Sequence, residues 1–343
     1  HIRLEHTFFF FIPLILSQLQ SINIIPIHLI IMNLYPKQLF RLLALSIVAC
    51  FTMALVGCGD DDAQYIGNGN SSSSENKNAN TVTSERAVRR LEFPALKKTG
   101  KQKLIVHRLS NTSYDSDAIN FATEWDCDKK SQRWSCYQLH NGFKGNYSRV
   151  ADFTFDPALS PSEYWSEFRY FPGYDRGHIC PSADRTFSHE ANEQTFYMSN
   201  MQPQYHEFNG YQDGTSNRGL WVRMENQLQK WAKNLSYTDT IYVCKGGTID
   251  DEKNIITRIK GKMIVPKYFF MAILRKSQFG YAPVGFWSDQ TKAWRTEETL
   301  LSHCMSIEKL EQLTGIDFFC NLPDDIEKQV EKTFNASSWA DLK

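Results

Sequence analysis

Four consecutive residues, Asp175, Arg176, Gly177 and His178, set a carboxylate, a guanidinium and an imidazole side by side on one short stretch. Phosphodiester cleavage needs such groups: a base that titrates near neutrality to activate water, and a fixed cation for the phosphoryl charge. An imidazole with an ordinary pKa of ~6.5 keeps a neutral fraction at physiological pH, so His178 is the candidate general base. The guanidinium of Arg176 presents a fixed fork to phosphate oxygens, with a salt bridge to Asp175 as the alternative use. Taken alone, the stretch would also suit a solvated loop.

Two further blocks follow it. Thr195 to Gln204 contains Ser199, Asn200, Pro203 and Gln204, and Asn217 is followed by Trp221 and Glu225. Together the three blocks resemble the DNA/RNA non-specific endonuclease family, the ββα-metal nucleases. That family carries Asp-Arg-Gly-His, then Ser/Thr-Asn-x-x-Pro-Gln, then Asn with Trp four residues and Glu eight residues on. The resemblance extends over residues 85–325. It implies an α+β, His-Me finger fold with a central antiparallel sheet flanked by helices. It implies hydrolysis of both DNA and RNA, with a divalent cation (Mg²⁺, or Mn²⁺ as substitute) and 5′-phosphorylated products. In its terms His178 is the base, Arg176 clamps phosphate, and Asn200 orients the site by hydrogen bonds. Asn217 binds the metal through its amide oxygen, and Glu225 holds a metal-bound water. Arg149, upstream of Asp156 and Pro157, matches a family arginine in the same relative place. The chain has extra residues between Asn200 and the third block, which leaves Asn209 as an alternative ligand. Asn217 is preferred because only it has both Trp at +4 and Glu at +8.

The elements that must position these groups are partly visible. Gln102–Leu109, Thr240–Gly246, Tyr268–Leu274 and Tyr281–Trp287 are β-branched or aromatic runs bounded by Gly, Pro or polar residues, and read as strands. Leu220–Leu235 reads as a helix, because Trp221, Met224, Leu228, Trp231 and Leu235 recur at alternating spacings of three and four. Ser306–Leu313 and Asp324–Phe334 read as shorter helices opened by an N-cap or an acidic first turn. Were Asn217 and Glu225 on one regular helix, they would be offset by ~80° and ~12 Å along its axis. Both could not then ligate one ion directly. One direct ligand plus a carboxylate acting through water suits Mg²⁺, which keeps most of its waters.

Charge and cysteines bound the class. The whole chain carries 38 basic and 38 acidic residues; from Ser84 onward 34 and 33 remain, a net +1. Such a balance excludes a strongly basic, sequence-reading DNA binder, but not an enzyme gripping a short backbone stretch. No Cys-x-x-Cys pair and no phosphate-binding glycine loop is present, which argues against a zinc site and a P-loop. Met32 is the first methionine, so residues 1–31 read as translated upstream sequence. Residues 32–57 resemble a bacterial lipoprotein signal, with Lys37 and Arg41, an apolar Leu42–Val56 and a small-residue cleavage point before Cys58. Cys58 would carry the lipid. Residues 58–83, rich in Gly, Asn, Ser and Asp, read as a flexible tether and resemble surface-export tethers of Bacteroidetes lipoproteins. Residues 84–343 form the catalytic domain, on an exported protein of the outer membrane or cell surface. Its six cysteines imply disulfides, with Cys127–Cys136 the first pairing to expect. Two other classes compete: a non-catalytic surface nucleic-acid binder on the same fold, and a phosphodiesterase for small nucleotides. An intact His178, Asn217 and Glu225 set speaks against the first.

Overall fold

The computed structural model describes residues 66, 75–81, 84–97, 99–143, 145–150, 152–210, 219–234, 238–292 and 298–342. In chain order the elements are β1 (Gln102–Arg108), β2 (Ile119–Asp126), β3 (Ser131–His140), β4 (Asp175–His178), α1 (His189–Gln194), β5 (Met201–Gln204), α2 (His206–Asn209), α3 (Leu220–Lys233), β6 (Thr240–Gly247), β7 (Ile255–Ile259), β8 (Met263–Pro266), β9 (Tyr268–Ser277), β10 (Gly280–Asp289), β11 (Cys304–Met305), α4 (Ile307–Thr314) and α5 (Asp324–Lys332). The four expected strands and three expected helices all form, with ends shifted by a few residues. The fold is α+β.

Seven strands make one antiparallel sheet in the order β1-β2-β3-β6-β9-β10-β11. Side chains alternate across a strand, so its two faces serve two cores. Ile241 and Val243 of β6 and Phe269, Met271 and Ile273 of β9 pack with Trp221, Met224, Leu228 and Trp231 of α3. The intervening Cys244, Phe270, Ala272 and Leu274 pack with Ile307 and Leu310 of α4 and Val330 of α5. Each large apolar side chain buried in this way contributes ~1.5–3 kcal/mol, which is why α3 holds its stripe flat on the sheet. Ser306 caps α4 by accepting from Lys309 N, and Gly315 ends it at φ +66°. Asp324, Asp325 and Glu327 supply the acidic first turn of α5.

Two expectations need correcting. The Cys127–Cys136 bond does not form; all six domain cysteines are free thiols. Cys127 follows the end of β2, whereas Cys136 lies five residues into β3 opposite Ala122. At ~3.3 Å per residue, that separates them by more than a disulfide spans. Parts of the segment expected as a tether over 58–83 also pack on the domain. Ile66 is buried and bridges Tyr281, and the Asn80 side chain, 7% exposed, donates to Val88 O and Pro94 O at 3.0 Å. Asn76 donates to Leu322 O at 2.6 Å. Both segments therefore belong to the folded domain. Cys58 and residues 1–57 lie outside the described residues.

Candidate active site

The Asp-Arg-Gly-His motif is strand β4, antiparallel to β5 with His178 opposite Met201 and Asp175 opposite Gln204. A Cβ on Gly177 would come within 2.0 Å of Gln204 Oε1, so a larger residue here would require the buried Gln204 side chain to move. The helix α3 completes a ββα unit: Trp221 Nε1 donates to His178 O at 3.2 Å. Asn200 is fully buried and clamps the turn beyond β4, accepting from Cys180 N at 2.8 Å and donating to Cys180 O at 2.9 Å and Thr195 O at 2.8 Å. These hydrogen bonds all run to backbone groups.

Arg176 and His178 share one face of β4 by the two-residue period. His178 is 9% exposed, and its Nε2 has no hydrogen-bond partner among the described residues. Its ring lies between Phe153 at 5.9 Å and Phe196 at 4.9 Å, and each of those rings carries an arginine. Arg176 sits 3.5 Å over Phe153, and Arg149 sits 4.9 Å over Phe196. Burial, helped by Arg149, Lys245 and Arg176, pushes the imidazole down to about 3. The ring is therefore held neutral, with Nε2 unpartnered and an arginine over each of the two phenylalanine rings beside it. Arg149 Nη1 donates to Ser182 Oγ at 2.9 Å, and Arg176 Nη1 to Arg169 O at 2.9 Å. Arg176 does not pair with Asp175. That carboxylate instead accepts from Asn209 Nδ2 and meets His206 Nδ1, both at 3.0 Å.

Glu225 projects from α3 with its side chain 12% exposed, and its Oε1 lies 2.7 Å from Lys245 Nζ. Lys245 is fully buried, on the face of β6 turned toward α3, 4.5 Å from the Trp221 ring. Burial pushes the Glu225 carboxyl up to about 7 against the pull of Lys245. Next to it, Asp184 is buried, and its Oδ1 accepts from Gln229 Nε2 at 2.9 Å.

The model of the family described as "DNA/RNA non-specific endonuclease" matches residues 103–325. The chain belongs to that family. It is accordingly an enzyme of the class that hydrolyses phosphodiester bonds in nucleic acid. Over 244 residues it is 28% identical to a nuclease of Nostoc sp., covering 65% of this chain and 80% of the relative. It is 25% identical over 236 residues to bovine mitochondrial endonuclease G, covering 65% and 75%. With the mitochondrial nuclease of Saccharomyces cerevisiae it shares 28% identity over 204 residues, covering 55% of this chain but only 60% of the relative. The fold matches a chain in a crystal structure of an EndoG/EndoGI inhibition complex, with TM-score 0.52 and 19% identity over 72% of this chain and 96% of that one.

Family members use a divalent metal, and Glu225 offers an oxygen donor for one. Lys245 engages only one Glu225 oxygen, and the neutral His178 is not needed as a ligand. Among the described residues the only group of three potential metal-binding side chains is Glu311, Asp317 and Glu331. It belongs to α4, α5 and the segment between them, and these pack on the opposite face of the sheet from α3. Asn217 lies outside the described residues. Glu225 lies on α3, which spans Leu220–Lys233. Sequence reasoning missed Lys245, Phe153 and Phe196. The odd-position alternation of β6 carries the one signal that could have placed Lys245 beside α3.

Proposed function

We propose that the domain is a sugar-non-specific endonuclease that cleaves DNA and RNA by a Mg²⁺-dependent, base-catalysed hydrolysis. The observation that carries this reading is the neutral, unpartnered Nε2 of His178, whose ring is acted on by the charges of Arg149, Lys245 and Arg176. Arg149 and Arg176 would hold non-bridging phosphate oxygens, and their guanidinium forks suit that geometry. His178 Nε2 would take the proton of the attacking water, in line with the leaving 3′ oxygen. Lys245 would keep Glu225 ionised within a buried setting. Mg²⁺, with Mn²⁺ as substitute, would be held by Asn217 and, through a water, by Glu225, and would supply charge neutralisation on the scissile phosphate. No base edge enters any step, which supports action on both nucleic acids.

The expected test is digestion of plasmid DNA and of RNA by purified protein, with and without chelator. Cleavage of both that stops in excess chelator and fades as salt rises supports the reading, since backbone contacts are salt-sensitive. Full activity in chelator would remove the metal. Turnover of a mononucleotide diester alone would instead make the protein a small-nucleotide phosphodiesterase. We further propose, from the residues 32–57 pattern alone, that Cys58 is lipidated and holds the enzyme at the outer membrane or cell surface. Cys58→Ala should then yield active protein that no longer fractionates with membranes.

A further inference from the structure

The β7–β8 hairpin closes in a turn whose sequence is a poor conformational choice. Lys262 N donates to Ile259 O at 3.0 Å, and the two residues inside, Lys260 and Gly261, stand at φ +52° and +70°. A turn with positive φ at both central positions favours Asn-Gly, and a lysine before the glycine gains nothing from the backbone. The turn between β2 and β3 repeats the pattern, because Lys130 stands at φ +49°. Residues other than glycine held in the left-handed region cost free energy, and such positions cluster where function needs them.

What the two lysines share is where their ammonium groups go. Lys130 Nζ lies 4.2 Å from the centre of the Trp165 ring, where Lys262 Nζ also arrives at 5.1 Å, and Lys260 Nζ lies 5.9 Å from the centre of the Phe168 ring. Glu167 sits on the same segment, and Lys262 takes it up at 2.6 Å. Lys130 and Lys260 have no carboxylate partner among the described residues, whereas their neighbours in the chain do. Lys129 pairs with Asp250 at 2.7 Å, and Arg258 with Glu252 at 2.6 Å. An aromatic ring positions an ammonium without neutralising it, so the charge of both lysines stays available to an anion.

The rings that seat these lysines lead to the active site. Phe168 shares a core with Ile259 and Val265 of the hairpin and with Met201, which faces His178 across the β4–β5 ladder. Next to Phe168, Arg169 is exposed, donates from Nη2 to Phe153 O at 3.3 Å, and holds its guanidinium 5.8 Å from the Phe155 ring. Its own carbonyl accepts from Arg176 Nη1 at 2.9 Å. We infer that Lys130, Lys260 and Arg169 form a second backbone-binding surface, which takes phosphates of the nucleic acid away from the one being cut. This inference rests on the nuclease reading above and adds to it a footprint longer than the scissile linkage. Positive charge without base-reading groups suits the sugar–phosphate chain of either nucleic acid. An anionic membrane also attracts lysines, but the link through Arg169 to Arg176 favours the polymer that the catalytic arginines already hold.

The test measures fluorescence anisotropy of a labelled single strand of about 20 nucleotides, longer than the ~4–16 nucleotides that one single-strand binding module covers. Binding is followed in chelator from ~0.05 to ~0.2 M salt. Asparagine tolerates the left-handed region, so Lys130→Asn and Lys260→Asn should each fold with a Tm no lower than wild type. Each should make the slope of log affinity against log salt shallower by ~0.7, equivalent to binding ~8-fold weaker at ~0.05 M salt and ~3-fold weaker at ~0.2 M. Lys309→Gln removes the same charge from an exposed position on α4, across the sheet from α3, and should leave the slope unchanged. Slopes in both asparagine variants equal to that of Lys309→Gln, with cleavage in Mg²⁺ intact, would overturn the surface and leave the nuclease reading standing. Salt-dependent binding that both variants weaken, without cleavage of any nucleic acid in Mg²⁺, would keep the surface and refute the nuclease. Phosphatidylserine vesicles that bind the wild type and not the variants, while the nucleic-acid slopes stay equal, would overturn the assignment and make this a membrane face.

Discussion

Replacing Lys245 by methionine removes a fully buried ammonium from its pairing with the Glu225 carboxylate while keeping the volume of the side chain. The Lys245 nitrogen lies 2.7 Å from Glu225 Oε1. For charge centres ~4 Å apart at an effective dielectric constant of ~20, the attraction lost is ~4 kcal/mol, or ~3 pKa units at ~1.4 kcal/mol each. The Glu225 carboxyl, pushed up to about 7 by burial even with Lys245 present, would then titrate several units higher. At pH 7 its ionised fraction drops from about half to ~10⁻³, so hydrolysis should fall by ~10²–10³ and recover about tenfold per pH unit up to pH ~9. Stability moves the other way. The folded protein then holds a proton that the unfolded chain has released, so the variant loses stability relative to wild type as pH climbs above 7. Breaking a buried pair ordinarily costs ~3–5 kcal/mol, and protonation should spare most of that at pH 6. Initial rates of plasmid hydrolysis from pH 6 to 10, with melts at pH 6 and 9, measure both. An equal rate loss at every pH would show Lys245 to be a structural prop and would refute the reasoning; wild-type rates at pH 7 would do so more directly.

His178→Ala should lower the rate by ~10²–10⁴ and should not recover with added Mg²⁺. Because burial pushes this imidazole down to about 3, the acid limb of the wild-type profile belongs to Glu225, and an NMR titration of His178 showing a midpoint above 6 in the free protein would contradict that assignment. Asn217→Ala should weaken the metal site and regain activity at high Mg²⁺. Asn209→Ala, which frees Asp175 from one partner, should change stability modestly and show no such rescue; the opposite pattern moves the ligand to Asn209.

How much was legible depended on whether a residue's neighbours advertised its setting. The stripe from Trp221 to Trp231 did so, and all four of its described residues are buried. β2 and β3 did not. β2 is buried along its whole length, and both strands carry polar groups inside, including Glu124 and Arg133, which pair with one another in the sheet. Their polarity hid them from a reading based on alternation, because tertiary pairing outweighs local preference. In the site, the motif types named the chemistry, but not the environment. The sequence predicted an imidazole of ordinary basicity. Phe153, Phe196 and the arginines upon them, distant in the chain, set it far lower. Lys245 stayed hidden because its partner Glu225 is twenty residues away, on a different element.

The sheet order has one further consequence. β3 and β6 are adjacent, and His140 faces Thr240 across the ladder, so residues 141–239, which hold β4, β5 and α3, enter and leave the sheet at one point. The ββα unit is thus a guest hosted between two neighbouring strands. Lengthening a guest whose ends are already pinned costs little, ~0.6 kcal/mol per doubling of a flexible loop. Extra residues after Asn200 can therefore be absorbed without disturbing the ladder. The host has no such freedom. A slip of one residue in β6 would exchange Lys245 for Cys244 or Gly246 beneath α3, leaving a paired sheet whose guest has lost its counter-charge.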